Sequence, residues 1–264
     1  MEMKDKMKKH REYSKMKKHM RRLVLCVTIA LALCVSHAAF AEEKAGEGND
    51  AAKQMNVTKY DEAARGISAP MYAYYAQKIK ERTGITKGVC LDVGSGGGYL
   101  GLALAKITDL DFIFLDISGN ALEKAKAHII EDGLQKRAKT LLADVHTIPL
   151  ADGSVNLVIS RGSIPFWKDP ATALKEIYRV LAPGGKAYVG GGRGTPEIQA
   201  QIESKRKALG MGLMGKGPKN VLPRDYDEIL KNTGITKYSL NRGNDGMWIQ
   251  IWKQSQPTKG EGNL

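Results

Sequence analysis

The sequence predicts an α/β domain: a doubly wound, mostly parallel seven-stranded sheet closed by a C-terminal antiparallel hairpin. Three observations predict it. From residue 88 to about 190, short apolar runs alternate with helical patterns. The runs are apolar throughout rather than at every second position, which marks strands buried on both faces of a parallel sheet. Near the end of the chain two strand patterns adjoin with no helix between them, which marks a hairpin.

The elements follow in order. Residues 55–66 read as an irregular lead-in. Pro70 can open a helix with Met71, Tyr74, Tyr75 and Ile79 at helical positions. The first strand, 89–93, runs into Gly94-Ser95-Gly96-Gly97-Gly98 and a helix over 99–106. Strand 112–116 ends at Asp116, and helix 121–131 follows. Strand 139–142 is followed by Ala143-Asp144. Strand 155–160 leads to helix 171–181, which Pro183-Gly184-Gly185 stops. Strand 186–190, helix 196–209, a flexible run over 210–217 and helix 224–232 come next. Strands 237–241 and 247–252 close the domain through the loop Arg242-Gly243-Asn244-Asp245-Gly246, and 254–264 reads as a disordered tail. No internal repeat is present.

The 264 residues, 42% hydrophobic and 26% charged, suit one globular domain with extensions. The formal charge of +13 is uneven: residues 1–22 contribute +7. A basic leader explains much of it, so the excess is not read as a nucleic-acid footprint. After Arg21-Arg22 come an apolar run over 23–35 and Ala39-Phe40-Ala41, a secretory signal with cleavage expected after Ala41. The alternative is an uncleaved N-terminal anchor, the only membrane contact expected. The expected division is therefore 1–41 signal or anchor, 42–54 flexible linker, 55–253 main domain and 254–264 tail. Cys26 and Cys34 fall in the leader. Cys90 lies in the first core strand, where a packing role is expected and no metal cluster or nucleophile is.

The stretch from Val89 to Gly101 carries the chemistry. Glycines let a backbone approach a ligand with no Cβ in the way. Gly96, Gly98 and Gly101 formally fit a dinucleotide fingerprint, a weak match alone. The acid Asp92, ahead of Gly94, Gly96 and Gly98, would repel a pyrophosphate and suits a cofactor with an amino-acid end and no phosphate. Three acids end successive strands, where a doubly wound sheet binds ligands. Asp116 stands where an acid can take both hydroxyls of a ribose. Asp144 and the next backbone N–H can read an adenine edge. Each could instead serve as a helix N-cap.

The glycine-rich stretch resembles motif I of the class I S-adenosylmethionine-dependent methyltransferases. Residues 152–160 resemble that family's fourth strand, and Glu176 to Gly185 its helix and turn before the fifth. The resemblance covers about 70–192, closest to the ubiquinone/menaquinone branch, and implies the Rossmann-like seven-stranded methyltransferase fold. It implies S-adenosyl-L-methionine bound by Asp92, Gly94, Gly96, Gly98, Asp116, Ile117, Asp144 and Val145. Ile117 would pack on adenine, and Asp92 would act through water or the cofactor's amino group. It places the helix after Pro70 over the pocket as a lid, with Tyr60 or Tyr72 touching the methionine end. The same helix could equally pack on the sheet with its tyrosines half exposed. Where the family carries an acid this chain has Asn156, still polar, with no expected effect on binding.

The implied reaction is methyl transfer to a small-molecule acceptor, working largely by alignment. Ser160, Arg161, Ser163, Phe166 and Trp167, with Tyr72, are candidates for the acceptor wall. Arg161 could pair with an anionic substrate or bond nearby carbonyls. His146 could be a base or hold structure. The loop Ser160-Arg161-Gly162-Ser163 is not an Asn/Asp-Pro-Pro-aromatic motif, so no nucleic-acid substrate is expected, and no metal is. The alternatives are a non-catalytic S-adenosylmethionine-binding protein, to which the export signal lends weight, and an NAD(P)-dependent oxidoreductase. The leader predicts an exported or anchored protein, whereas the cofactor's supply suggests the cytoplasm.

Overall fold

A computed structural model describes residues 61–211 and 224–255. The signal or anchor, the linker, Tyr60 and most of the expected flexible run and tail lie outside the described residues. The strands are β1 (Lys87–Val93), β2 (Asp109–Asp116), β3 (Ala138–Leu142), β4 (Val155–Arg161), β5 (Leu181–Gly191), β6 (Tyr238–Gly243) and β7 (Gly246–Trp252). The helices are α1 (Ala69–Thr83), α2 (Tyr99–Ala105), α3 (Gly119–Glu131), α4 (Pro170–Val180), α5 (Pro196–Ala208) and α6 (Tyr226–Lys231). They form one seven-stranded sheet in the order β3-β2-β1-β4-β5-β7-β6. β1 to β5 are parallel; β7 runs antiparallel to β5, and β6 to β7.

The continuous apolar runs follow from burial on both faces. In β4, Leu157 and Ile159 pack with Met71, Tyr75 and Ile79 of α1 and with Leu102 and Leu104 of α2. Val158, between them, packs on the other face against Leu174, Ile177 and Val180 of α4. Cys90 is fully buried in the first of these cores, and burial pushes its thiol well above the usual value. The chain winds outward from β1 through β2 to β3, then crosses to β4 on the other side. That reversal places a crevice at the carboxyl ends of β1 and β4.

Three local expectations need correction. The lead-in is helical from 61, with a π turn over Ala63–Ile67. β5 begins at Leu181, and the glycines expected to stop α4 lie inside it, at an irregularity in the β4–β5 register. Gly185 permits this, because a Cβ there would stand 2.8 Å from the Ala182 carbonyl oxygen. The hairpin loop is two residues, Asn244-Asp245, since Gly243 pairs with Gly246. Gly246 takes a φ of +120°, where only glycine is at ease. Asp245 then docks on α1: its carboxylate takes Lys78 and the Tyr74 hydroxyl, and its carbonyl the Tyr75 hydroxyl. Asn156 accepts a hydrogen bond from the Val89 amide at 2.8 Å, joining β4 to β1 as a carboxylate would.

β5 and β7 cross closely enough that a Cβ on Gly190 would stand 2.2 Å from the Met247 carbonyl oxygen, while one on Gly119 would meet nothing within 4 Å. We predict that Gly190→Ala destabilises the domain by about 1–3 kcal/mol. Gly119→Ala, at the start of α3, stabilises it by about 0.5–1 kcal/mol. Urea unfolding of both variants checks the opposite signs.

Candidate active site

The glycine-rich turn joins β1 to α2 at the crevice. Gly94, Gly96 and Gly98 all have positive φ, at +63°, +55° and +82°. They lack a Cβ for different reasons. One on Gly94 would stand 2.4 Å from the Ser163 side chain, and one on Gly98 3.2 Å from the Phe114 ring. Gly96 meets nothing within 4 Å. Of the three expected cofactor glycines it is the one that borders open space, while the other two also let the protein close on itself.

The acids divide into one that is buried and two that reach the surface. Asp92 is 2% exposed, and its carboxylate accepts the Gly101 amide at 3.0 Å. It therefore ties the first turn of α2 to the preceding strand from below, but it is not the N-cap, which is Gly98. Burial pushes its carboxyl up to about 7, against the Gly101 hydrogen bond and with the nearby Asp116 charge adding to it. Asp116, at the end of β2, accepts the Gly96 amide at 2.8 Å and the Ser118 amide at 2.9 Å, one on each oxygen. A carboxylate has about four acceptor directions, so each oxygen keeps one for a further donor. Asp116 is no N-cap: Ser118 caps α3.

Asp144 accepts the His146 amide and its ring nitrogen, and these bonds hold its carboxyl below the ordinary range. The Ala143 amide donates to the Asp116 carbonyl at 3.1 Å, so the ends of β2 and β3 are tied together. The other ring nitrogen of His146 accepts the Asp169 amide at 3.1 Å. The imidazole is thereby fixed with its proton toward Asp144, which suits structure rather than base catalysis. Ile117, beside Asp116, is 73% exposed, as an apolar cover for a base would be; the Val145 side chain is buried in the core.

Of the residues expected to wall the acceptor, the structure brings Tyr72 and Arg161 together, with the guanidinium carbon 5.1 Å from the ring centroid. Tyr72 is largely buried against Tyr99, the first residue of α2, at 5.4 Å, and Tyr75 is fully buried against Trp248 of β7 at 4.7 Å, so α1 packs on the sheet with these two tyrosines buried rather than half exposed. The Ser160 and Ser163 hydroxyls are 2.6 Å apart, and Ser163 donates to the Val93 carbonyl at 3.3 Å. Trp167 does not join this wall: it is buried among Ile148, Ile164 and Leu174, and its neighbour Phe166 is exposed instead. The intervening 3-10 turn Ile164–Phe166 sets which aromatic turns inward.

Sequence reading missed a clasp behind the turn. His128 is buried and bonds the Gly97 carbonyl at 2.8 Å through Nδ1 and Asp61 at 3.2 Å through Nε2. Tyr99 donates to the same Asp61 at 2.6 Å. The signal was a histidine on the apolar face of a helix, three residues after Ala125. Its partner Asp61 is 67 positions away, beyond any local pattern.

These features suit a nucleoside cofactor with no phosphate. The Gly101 amide, which a helix start would offer a pyrophosphate, is already taken by a carboxylate. The Ser95 hydroxyl, inside the turn, is buried with no hydrogen-bond partner among the described residues, a group that a ligand's polar atoms can complete.

The comparisons with known proteins agree. A methyltransferase domain family model matches residues 91–189. A crystal structure from Methanococcus maripaludis, provisionally assigned as an S-adenosyl-L-methionine-dependent methyltransferase, is 36% identical, with a TM-score of 0.66. That match covers 76% of this chain and 94% of the other. The 2-methyl-6-phytyl-1,4-hydroquinone methyltransferase 1 of rice is 34% identical over 37% of this chain. The ubiquinone/menaquinone C-methyltransferase UbiE of Geotalea daltonii is 30% identical over 47% of it. The chain spans 28% of the rice protein and 52% of the Geotalea one. It belongs to the class I S-adenosylmethionine-dependent methyltransferases.

The raised Asp92 carboxyl has a pH signature. Between the ordinary value of 3.8 and about 7 the folded state holds a proton that the unfolded state has lost. This contribution is complete below 3.8 and is lost as pH rises through about 7. We predict that the stability of the wild type relative to Asp92→Asn falls by roughly 1.4 kcal/mol per pH unit between pH ~5 and ~7, then levels off. Urea unfolding of both proteins across that range checks it.

Proposed function

We propose that this protein transfers a methyl group from S-adenosylmethionine to a small-molecule acceptor. The observation that carries the proposal is the Asp116 carboxylate, stitched to the Gly96 amide across the turn and keeping a free acceptor direction on each oxygen. In this reading Asp116 takes the ribose hydroxyls, and Gly96 lies beneath the nucleoside. Ile117 covers the adenine, with Asp144 and the Val145 backbone at its edge. Asp92 sits below the turn and answers the cofactor's amino group, directly or through water, while Gly94, Gly98 and Ser95 shape the bed. When bound, the cofactor supplies a sulfonium methyl, which an aligned nucleophile can take without help from a metal.

The residues near the acceptor favour alignment over proton transfer. Both nitrogens of His146 are committed, and the Ser160 and Ser163 hydroxyls are spent on each other and on the Val93 carbonyl. An acceptor that attacks through an acidic oxygen, nitrogen or carbon needs no base, and holding it in line suffices. The relatives named for quinone methylation support a small organic acceptor. The leader supports an exported or membrane-anchored protein, checked by mass spectrometry of the N-terminus from the native host: a start at Glu42 supports cleavage, and an intact leader supports an anchor.

Calorimetry tests the cofactor assignment. S-adenosylhomocysteine is expected to bind the wild type and NADH is not. Asp116→Ala is expected to weaken S-adenosylmethionine binding by about 1–3 kcal/mol, through two lost charge-assisted hydrogen bonds. Unchanged affinity in a folded variant would remove the ribose assignment.

A further inference from the structure

We propose that Arg161 seats an anionic oxygen of the methyl acceptor, a carboxylate, so that the substrate is an organic acid. This rests on the methyltransferase reading and names the substrate class of the same site. The two halves of the crevice differ in charge. The ends of β1, β2 and β3 carry Asp92, Asp116 and Asp144, the half assigned to the cofactor. Arg161 ends β4 on the other half, where the Gly162 amide donates to the Gly190 carbonyl of β5 at 2.7 Å.

Among the described residues, every partner of the Arg161 guanidinium is neutral. One terminal nitrogen donates to the Gly192 carbonyl at 2.7 Å and meets the Met71 sulfur at 2.9 Å. The guanidinium carbon lies 5.1 Å from the Tyr72 ring centroid and 5.8 Å from that of Tyr75. Among the described residues no carboxylate stands within ion-pair distance of it, although other arginines here, such as Arg65, Arg179 and Arg242, each have one. Its Nε is buried and has no acceptor among the described residues.

Two aromatic faces and a thioether can hold a cation in place without neutralising it. A buried donor without an acceptor is a standing loss of stability. A planar carboxylate would answer both faults: it supplies the missing charge and presents paired oxygens to the guanidinium edge. The same chemistry could come from the methionine end of the cofactor, which also carries a carboxylate, and the two sources separate by experiment.

The experiment uses the full chain as wild type, Arg161→Met and Arg161→Lys, each checked for folding by circular dichroism and melting. Each is titrated with S-adenosylhomocysteine. The loaded proteins are then titrated by ligand-observed NMR with two isosteric pairs, benzoate against benzamide and salicylate against salicylamide. The expected result is S-adenosylhomocysteine affinity equal within about threefold in all three proteins, and wild-type preference for each carboxylate over its amide by at least about tenfold. Arg161→Met loses that preference while staying folded, and Arg161→Lys, which keeps the charge, retains part of it.

Equal binding of acid and amide by the wild type, or a preference that survives in Arg161→Met, overturns the proposal. So does a loss of more than about tenfold in S-adenosylhomocysteine affinity in folded Arg161→Met, which would give the arginine to the cofactor. Absence of S-adenosylhomocysteine binding to the wild type overturns the methyltransferase reading and this proposal with it. Failure of the carboxylate result alone leaves that reading standing.

Discussion

A carboxylate buried in the core organises the crevice. Asp92 closes β1 and accepts the amide of Gly101, three residues into α2. That single bond sets how far the chain may wander between strand and helix, and five residues, three of them with positive φ, fill the gap. The turn is thus held from below by Asp92, from one side by Asp116 through the Gly96 amide and from behind by His128 through the Gly97 carbonyl. Each bond fixes a different point of the same loop. Preorganisation of this kind lets a flexible, glycine-rich segment present one shape to a ligand.

The two halves of the crevice are built from different materials. On the β1–β3 side, carboxylates and backbone amides dominate, suited to hydroxyls and an ammonium group. On the β4–β5 side, Arg161 lies under a roof of Tyr72 and Tyr75 from α1, and the hairpin turn locks that helix down through Asp245, Lys78 and Tyr74. The same burial and Asp245 contacts that tie Tyr74 to the hairpin push its hydroxyl up to about 12, so it stays protonated. The C-terminal hairpin therefore does more than close the sheet. It carries the support for the aromatic roof over Arg161, 170 residues along the chain from Tyr75.

Much of this was legible in the sequence. Strands buried on both faces write themselves as unbroken apolar runs, and the acids at their ends stand out against that background. Asp92, Asp116 and the glycines could be placed because their spacing depends on local geometry. What escaped depended on contacts far apart in sequence. Trp167 and Phe166 are neighbours of similar hydrophobicity, and only the 3-10 turn decides which one enters the core. His128 looked like one more helix residue until Asp61 and Gly97 appeared on its two sides. The register irregularity at Gly184-Gly185 resembled a helix stop because the same residues serve both purposes.

The central claim is that this turn and these acids form one bed for a phosphate-free nucleoside. A crystal structure of the protein with S-adenosylhomocysteine tests it most directly. The account predicts both ribose hydroxyls within hydrogen-bond distance of Asp116, with the Gly96 amide still bonded to that carboxylate and the adenine against Ile117. A nucleoside lying elsewhere, or an Asp116 carboxylate turned out to solvent beside an occupied turn, would contradict it.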